Sequence, residues 1–426
     1  MNGTKYHLMN VGTGREFDDT GWLLDDPAGG EPSLVRAVYE RQQLDASHAD
    51  RGLYRFADWL PVRRMLEGSC APVTYKSEGL TGKLGLSNLF ITFSGYWPAM
   101  GARMTTCSFK ETEAYSVCGR LAEERILVVA SAGNTARAFA RVCSDNGIPL
   151  LLCVPSDNLD ALWFSEPIAP CVRLISPVAG GDYFDAIHLS NLAVRSEHFV
   201  AEGGARNVAR RDGMGTTVLS AATAIGRIPD YYFQSVGSGT GAIAAWEANL
   251  RLIADGRFGN NKMRLMVSQN APFLPMYDAW RAGSRAMLPY DDDRARADAA
   301  EIDAKVLSNR RPPYSITGGL FDALSDTGGD IVAVTNSELR AAAVLFEELE
   351  GVDINPAAAV ATASLMRAVA EGTVERDATI MLNITGGGEA AFKRDTGGAP
   401  FRLEPSLVFP LDPSPEEIVE RIEKLF

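Results

Sequence analysis

With 426 residues the chain is too long for one ordinary core, and two domains are expected, one of them discontinuous in sequence. Its 46% hydrophobic and 22% charged residues are those of a globular protein in water, and a formal net charge of −13 argues against a large nucleic-acid or anionic-membrane surface. Small molecules are the partners this leaves, while six cysteines without a Cys-x-x-Cys pair fit reduced thiols and four histidines argue against a His-rich metal centre.

The start, Met1 to Asn10, lacks the basic and apolar regions of a signal peptide, and no apolar run approaches the roughly 20 residues that cross a bilayer. A cytoplasmic location is expected. Residues 1–50 are polar and turn-rich, with Asp18-Asp19 and Asp25-Asp26-Pro27 broken by glycines, and read as a loosely built extension. From Tyr54 short apolar runs begin, and Leu84 to Phe93 reads as a strand. Lys110 opens a helical spacing that continues through Leu121.

Ile126 to Val154 is the clearest βαβ unit. A strand turns at Gly133 into a helix with Ala136, Phe139, Ala140 and Val142 on one side, which Gly147-Ile148-Pro149 stops before Pro149 to Val154. Further strands are expected near Val172–Ile175, Phe199–Ala201, Tyr231–Val236, Leu265–Val267, Ile331–Val334 and Ile380–Ile384. Asp291 to Arg296 reads as charged surface, and Ser414 to Phe426 as a capped amphipathic helix. The pattern is α/β with mainly parallel sheets flanked by helices. A large domain is expected over 51–122 and 206–426, with a smaller α/β domain inserted at 123–205.

Four turns carry the chemistry. Lys110 lies on a strand-to-helix connection in Thr106-Cys107-Ser108-Phe109-Lys110-Glu111, where desolvation and a positive helix terminus would depress its pKa and free the amine to attack a carbonyl cofactor. Ser131-Ala132-Gly133-Asn134-Thr135 suits a helix N-cap. It equally offers N–H groups to a substrate carboxylate and Asn134 to a ring hydroxyl. Gly237-Ser238-Gly239-Thr240-Gly241 follows a strand and is weak evidence taken alone. Thr385, ahead of Gly386-Gly387-Gly388, can aim a neutral hydroxyl at a heteroaromatic nitrogen. The spacing of Gly237 to Gly241 is not that of a dinucleotide fingerprint.

In this order the four segments resemble the pyridoxal-phosphate enzymes of the tryptophan synthase β/threonine synthase group, fold type II, from about residue 70 onward. Longer runs are similar to the archaeal cysteate synthases of coenzyme M biosynthesis. They are Tyr54-Arg55-Phe56, Asp58-Trp59-Leu60-Pro61-Val62, Tyr75 to Leu80, Gly95-Tyr96-Trp97-Pro98, Thr106 to Glu111 and Val129 to Ala140. The resemblance implies pyridoxal 5'-phosphate attached to Lys110, its ring hydroxyl at Asn134, its phosphate cradled by Gly237, Ser238, Gly239, Thr240 and Gly241, and its ring nitrogen at Thr385. It further implies O-phosphoserine and sulfite as substrates of a β-replacement, without a metal, in a homo-oligomer. Ser131, Ala132, Gly133 and Thr135 would hold the amino-acid carboxylate, and Thr106 or Ser108 would steady the departing phosphate.

Threonine synthases carry an Arg-x-x-Gly-x-x-Thr segment associated with substrate phosphate. Arg210, Gly213 and Thr216 match it here, with Asn207 three residues earlier, making Arg210 the first candidate for a phosphate or sulfite contact. The chain departs from threonine synthase at Cys107, where glycine is expected, and at Glu111, where aspartate is expected, which argues against phosphohomoserine. It also lacks paired cysteines near its start, so that Leu8 to Leu24 resembles a metal-free remnant of a small ribbon. Threonine synthase and a non-catalytic cofactor-binding homologue are the alternatives.

Overall fold

The computed structural model describes residues 3–122, 124–131, 133–181 and 183–426, so Ala132 lies outside the described residues. The polar opening segment is not loose. β1 (Tyr6–Asn10), β2 (Glu16–Phe17) and β3 (Val35–Tyr39) form an antiparallel sheet in the order β2-β1-β3. One face of β1 and β3 is buried, putting Leu8, Val35, Ala37 and Tyr39 into one core with Val218, Ile243 and Trp246. Composition averaged over fifty residues hides three short strands separated by polar stretches. Asn10 tightens the turn after β1 by accepting the N–H groups of Gly12 and Thr13 at 2.9 and 3.1 Å.

Downstream come β4 (Val73–Lys76), α1 (Gly79–Leu84), β5 (Asn88–Phe93) and a short hairpin of β6 (Tyr96–Trp97) with β7 (Ala102–Arg103). Then follow α2 (Lys110–Arg120), β8 (Ile126–Ala130), α3 (Asn134–Asp145), β9 (Leu150–Cys153), β10 (Trp163–Phe164), β11 (Val172–Pro177), α4 (Tyr183–Ala193) and β12 (Phe199–Ala201). The chain continues with α5 (Val208–Ile225), β13 (Tyr231–Ser235), α6 (Thr240–Asp255), β14 (Arg264–Asn270), β15 (Asp330–Val334), β16 (Thr379–Ile384), β17 (Phe401–Arg402) and β18 (Leu407–Phe409). Among the described residues no helix is long and apolar enough to cross a membrane.

Two sheets dominate. The larger runs β15-β14-β13-β16-β5-β4, with the β4–β5 pair antiparallel and the other pairs parallel. β13 and β16 are buried at every position, as central strands covered by helices on both faces must be. The smaller sheet runs β12-β8-β9-β11-β18, and each of its pairs is parallel.

The segment from β17 onward returns to this smaller sheet. β18 pairs with β11, β17 with β10, and Ile418 and Ile422 of the helix Pro415–Glu423 enter a core with Leu151, Leu189 and Phe199. The sequence reading assigned this stretch to the large domain, because a strand of three residues leaves too short a pattern to show its partner.

Candidate active site

In open parallel sheets, ligands collect beyond the carboxyl ends of the strands where strand order reverses. In the larger sheet that point lies at β13 and β16, which are neighbours although far apart in sequence. Their following loops are Val236 to Gly239 and Thr385 to Gly388. In the smaller sheet β8 feeds β9 on one side and pairs with β12 on the other, so the turn Ser131 to Asn134 occupies the corresponding point.

Thr385 to Gly388 is stitched to three other segments. Phe109 N–H donates to the Thr385 carbonyl (2.9 Å), Gly387 N–H to Cys107 (3.1 Å), Asn355 N–H to Gly386 (3.1 Å) and Tyr96 N–H to Gly387 (3.0 Å). A Cβ at Gly386, Gly387 or Gly388 would lie 2.1 Å from Asn355 Nδ2, 2.4 Å from the Asp353 oxygen or 1.7 Å from the Tyr96 oxygen. The triple glycine is therefore demanded by close packing on three sides. Cys107 is held at φ 53, a conformation that favours glycine and costs another residue about 1 kcal/mol.

These bonds fix Phe109 and hence Lys110, the first residue of α2. Phe109 also packs on Met214 of α5 and Ala244 of α6. The three helices pack closely, since a Cβ on Gly213 would meet the Thr112 carbonyl oxygen at 2.3 Å and one on Gly215 the Ala244 oxygen at 3.2 Å. Lys110 Nζ lies 3.1 Å from Glu113 Oε2, one turn along α2, and 4.9 Å from the centre of the Phe109 ring. Burial pushes the Lys110 amine below the ordinary lysine value and Arg210 adds to the fall, while Glu113 and Glu202 oppose it. The direction is the one expected from its place in the sequence.

Arg210 is committed to carboxylates. Its Nη2 lies 3.2 Å from Glu113 Oε1 and its Nη1 2.5 Å from Glu202 Oε2. Burial works against its charge, but Glu113 and Glu202 outweigh that and hold its pKa above the ordinary arginine value. Asn207 is equally engaged. Its Oδ1 accepts from Ala209 N–H at 3.0 Å as the N-cap of α5 and from Arg120 Nη1 at 2.9 Å, and its Nδ2 donates to the Glu202 carbonyl at 2.7 Å. Thr216 bonds the carbonyl of Gly213 within its own helix. In this structure the Arg-x-x-Gly-x-x-Thr segment holds α5 against α2.

Gly237 to Gly241 leads into the sixteen-residue α6, with Gly239 at φ 78 as N-cap and Ser238 Oγ 2.8 Å from Thr240 Oγ1. A helix start of this length presents oriented N–H groups to an anion. Gly237 has no room for a side chain, since a Cβ there would meet Leu307 Cα at 2.9 Å.

On the opposite side, Ser131 Oγ accepts from the N–H groups of Gly133 and Ala136 at 3.2 Å each, capping α3. Its own O–H stays available to donate. Thr135 is buried beside it. The hydroxyls of Thr106 and Ser108 are buried without a partner among the described residues. Asn134 lines a cavity of about 590 Å³ with Cys107, Arg137, Asn355, Glu389 and Lys393.

Arg137 anchors that wall. It donates to the carbonyls of Ala161 and Thr106 at 2.9 Å and to Asn134 Oδ1 at 3.0 Å, and it stacks on Trp163 at 4.0 Å. Sequence reasoning did not single out Glu113 or Glu202. The spacing of Lys110 and Glu113 on one helix face was a signal for the first, whereas nothing local pointed to the second.

A half-buried lysine of lowered pKa, a glycine-bearing helix start and two buried hydroxyls without a partner among the described residues suit a phosphorylated ring aldehyde, so the residues present fit pyridoxal phosphate. Residues 100–386 match the family described as pyridoxal-phosphate dependent enzymes. Relatives named cysteate synthase from Methanosarcina acetivorans and Methanoculleus marisnigri are 50% and 48% identical, covering 95% of this chain and 96% and 93% of theirs. Among solved structures, maize serine racemase superposes with a TM-score of 0.56 at 16% identity, covering 76% of this chain and 93% of that one. The processed form of threonine deaminase isoform 2 from Solanum lycopersicum does so at 0.52 and 17%, covering 78% and 88%. At these identities the likeness to both structures is one of fold. The chain belongs to the pyridoxal-phosphate dependent enzymes of fold type II, in the cysteate synthase family, and its cofactor is pyridoxal 5'-phosphate.

Proposed function

We propose that this chain is a cysteate synthase, replacing the phosphate of O-phospho-L-serine with sulfite to give L-cysteate and phosphate, a step toward coenzyme M. The observation that carries the reading is 50% identity to an enzyme of that name along 95% of the chain. The half-buried, pKa-lowered Lys110 supports it.

When bound, pyridoxal phosphate supplies an electron sink for the pair left at the substrate Cα. Lys110 holds the cofactor, then as a free amine takes the Cα proton on Nζ and later returns it. Gly237, Ser238, Gly239, Thr240 and Gly241 would hold the cofactor phosphate at the start of α6, with Asn134 for the ring hydroxyl and Thr385 for the ring nitrogen. The Ser131 hydroxyl, with Gly133 and Thr135, binds the substrate carboxylate. The free hydroxyls of Thr106 and Ser108 donate to the leaving phosphate as the Cβ–O bond breaks. Sulfite then bonds to Cβ through sulfur.

A two-domain arrangement belongs to the same reading, with 123–205 as the small domain and 401–426 joined to it, as does a homo-oligomer in the cytoplasm. The test is a visible-absorbance titration of the purified protein with O-phosphoserine and then sulfite, with phosphate and amino-acid product assayed in the same tube. A spectral change with phosphoserine and cysteate on sulfite addition are expected. Silence with phosphoserine but phosphate release from phosphohomoserine would make the protein a threonine synthase.

A further inference from the structure

The chain of charge that ends at Lys110 has four members. Glu113 is fully buried, with one oxygen 3.1 Å from Lys110 Nζ and the other 3.2 Å from Arg210 Nη2, and Arg210 reaches Glu202 at 2.5 Å. Lys110 and Glu113 come from α2, Arg210 from α5, and Glu202 from the segment just after β12. The close approach at Gly213 holds α2 and α5 at this separation. Tyr183 of α4 is the further titratable group facing Arg210 among the described residues. Two cations and two anions alternate, and removing any one leaves a buried charge without its counter-charge.

We propose that Glu113, held in place by Arg210 and Glu202, is the positioning residue that sets the proton affinity of the Lys110 amine. The inference rests on Lys110 being the reactive amine of the function proposed above. When neutral Nζ takes a proton from the substrate Cα, the ammonium formed stands against a carboxylate already in contact with it, so no charge separation across the site is needed. Arg210 moderates that carboxylate by sharing it. Arg210 is thereby assigned to the lysine and not to a substrate anion.

The arrangement predicts opposite effects from two neutralising substitutions. Glu113→Gln deprives the ammonium of its counter-charge, so Lys110 should titrate lower. Arg210→Gln gives the whole carboxylate charge to Lys110, which should titrate higher. Loss of structure would not produce shifts of opposite sign.

The experiment is competitive acylation of the full-length, cofactor-free protein over a pH series, with labelling of Lys110 read by peptide mass spectrometry and folding checked by circular dichroism. Glu113→Gln should lower the Lys110 midpoint by about one pH unit or more, and Arg210→Gln should raise it. Glu113→Asp should shift in the same direction as Glu113→Gln but less, and it carries the test if the glutamine variant does not fold. In the holoenzyme, exchange of the phosphoserine Cα proton in the absence of sulfite should slow about ten- to a hundred-fold in Glu113→Gln. An unchanged midpoint in the folded Glu113 variants, or shifts of the same sign in Glu113→Gln and Arg210→Gln, would overturn the proposal. Cysteate formation is scored separately, so midpoints that move as stated in a protein making no cysteate would reject the substrate reading alone.

Discussion

Glu111 adds a pH dependence to the stability of the chain through its buried carboxyl. Its Oε1 accepts the Thr106 N–H at 2.5 Å, yet burial outweighs that bond and pushes its pKa from 4.5 up to about 7. The folded state therefore holds the proton more tightly than the unfolded chain, and the associated stabilisation is present below pH 4.5 and lost as pH rises through about 7. The loss is about 3 kcal/mol. Glu111→Gln keeps an acceptor for Thr106 and removes the titration, so the fall in melting temperature between pH 5 and pH 8 should shrink relative to wild type. At Gly213 the missing Cβ is what lets α5 approach the carbonyl of Thr112, and Gly213→Ala should cost about 1–3 kcal/mol in a denaturant melt. The same substitution displaces α2 and with it Lys110, so turnover should fall more than stability alone accounts for. Lys110→Ala should abolish the visible absorbance of the attached cofactor and the β-replacement together. Lys110, Asn134, Ser131 and Thr385 could be nominated from the sequence because each stands on a connection between a strand and a helix, where the local pattern marks the position. Glu113 and Glu202 were not, because their meaning lies in a partner brought from another element.

The helix α6 depends on its entry turn. Gly239 adopts φ 78 at its N-cap, and a Cβ there would lie 3.0 Å from Leu320. Gly239→Ala should cost about 1–2 kcal/mol and tilt the first N–H groups of the helix, so that the cofactor dissociates more readily on dialysis followed by its absorbance. Apart from β4 and β18, the strands of the two large sheets were legible, from Asn88–Phe93 to Thr379–Ile384, because each is a short apolar run. The opening sheet was not, because its strands carry one buried face each and β2 is only two residues long. Its register is written in the pairing of Tyr6 with Tyr39 through Asn10 with Val35, which no single stretch of sequence displays.

At the scale of the molecule, the carboxyl ends of the two sheets supply the two walls of the proposed site, the smaller sheet through Asn134 and the larger through Thr385 and Gly237. Phosphoserine bridging them should draw the walls together. The expected result is a smaller radius of gyration in solution scattering and slower amide exchange at the start of α3, and no change in either would remove closure from the mechanism. Mainly parallel sheets were legible from the alternation of strands and helices. The pairing of β18 with β11 was not, because pairing across so long an interval leaves no trace in local periodicity. That same pairing has a consequence for biosynthesis. β11 is made early, whereas its neighbour β18 leaves the ribosome only after all of the larger sheet has been translated. Throughout that interval the nascent smaller sheet carries an open hydrogen-bonding row, so a stalled or truncated product would be recruited to aggregates and would depend on chaperones until translation is finished.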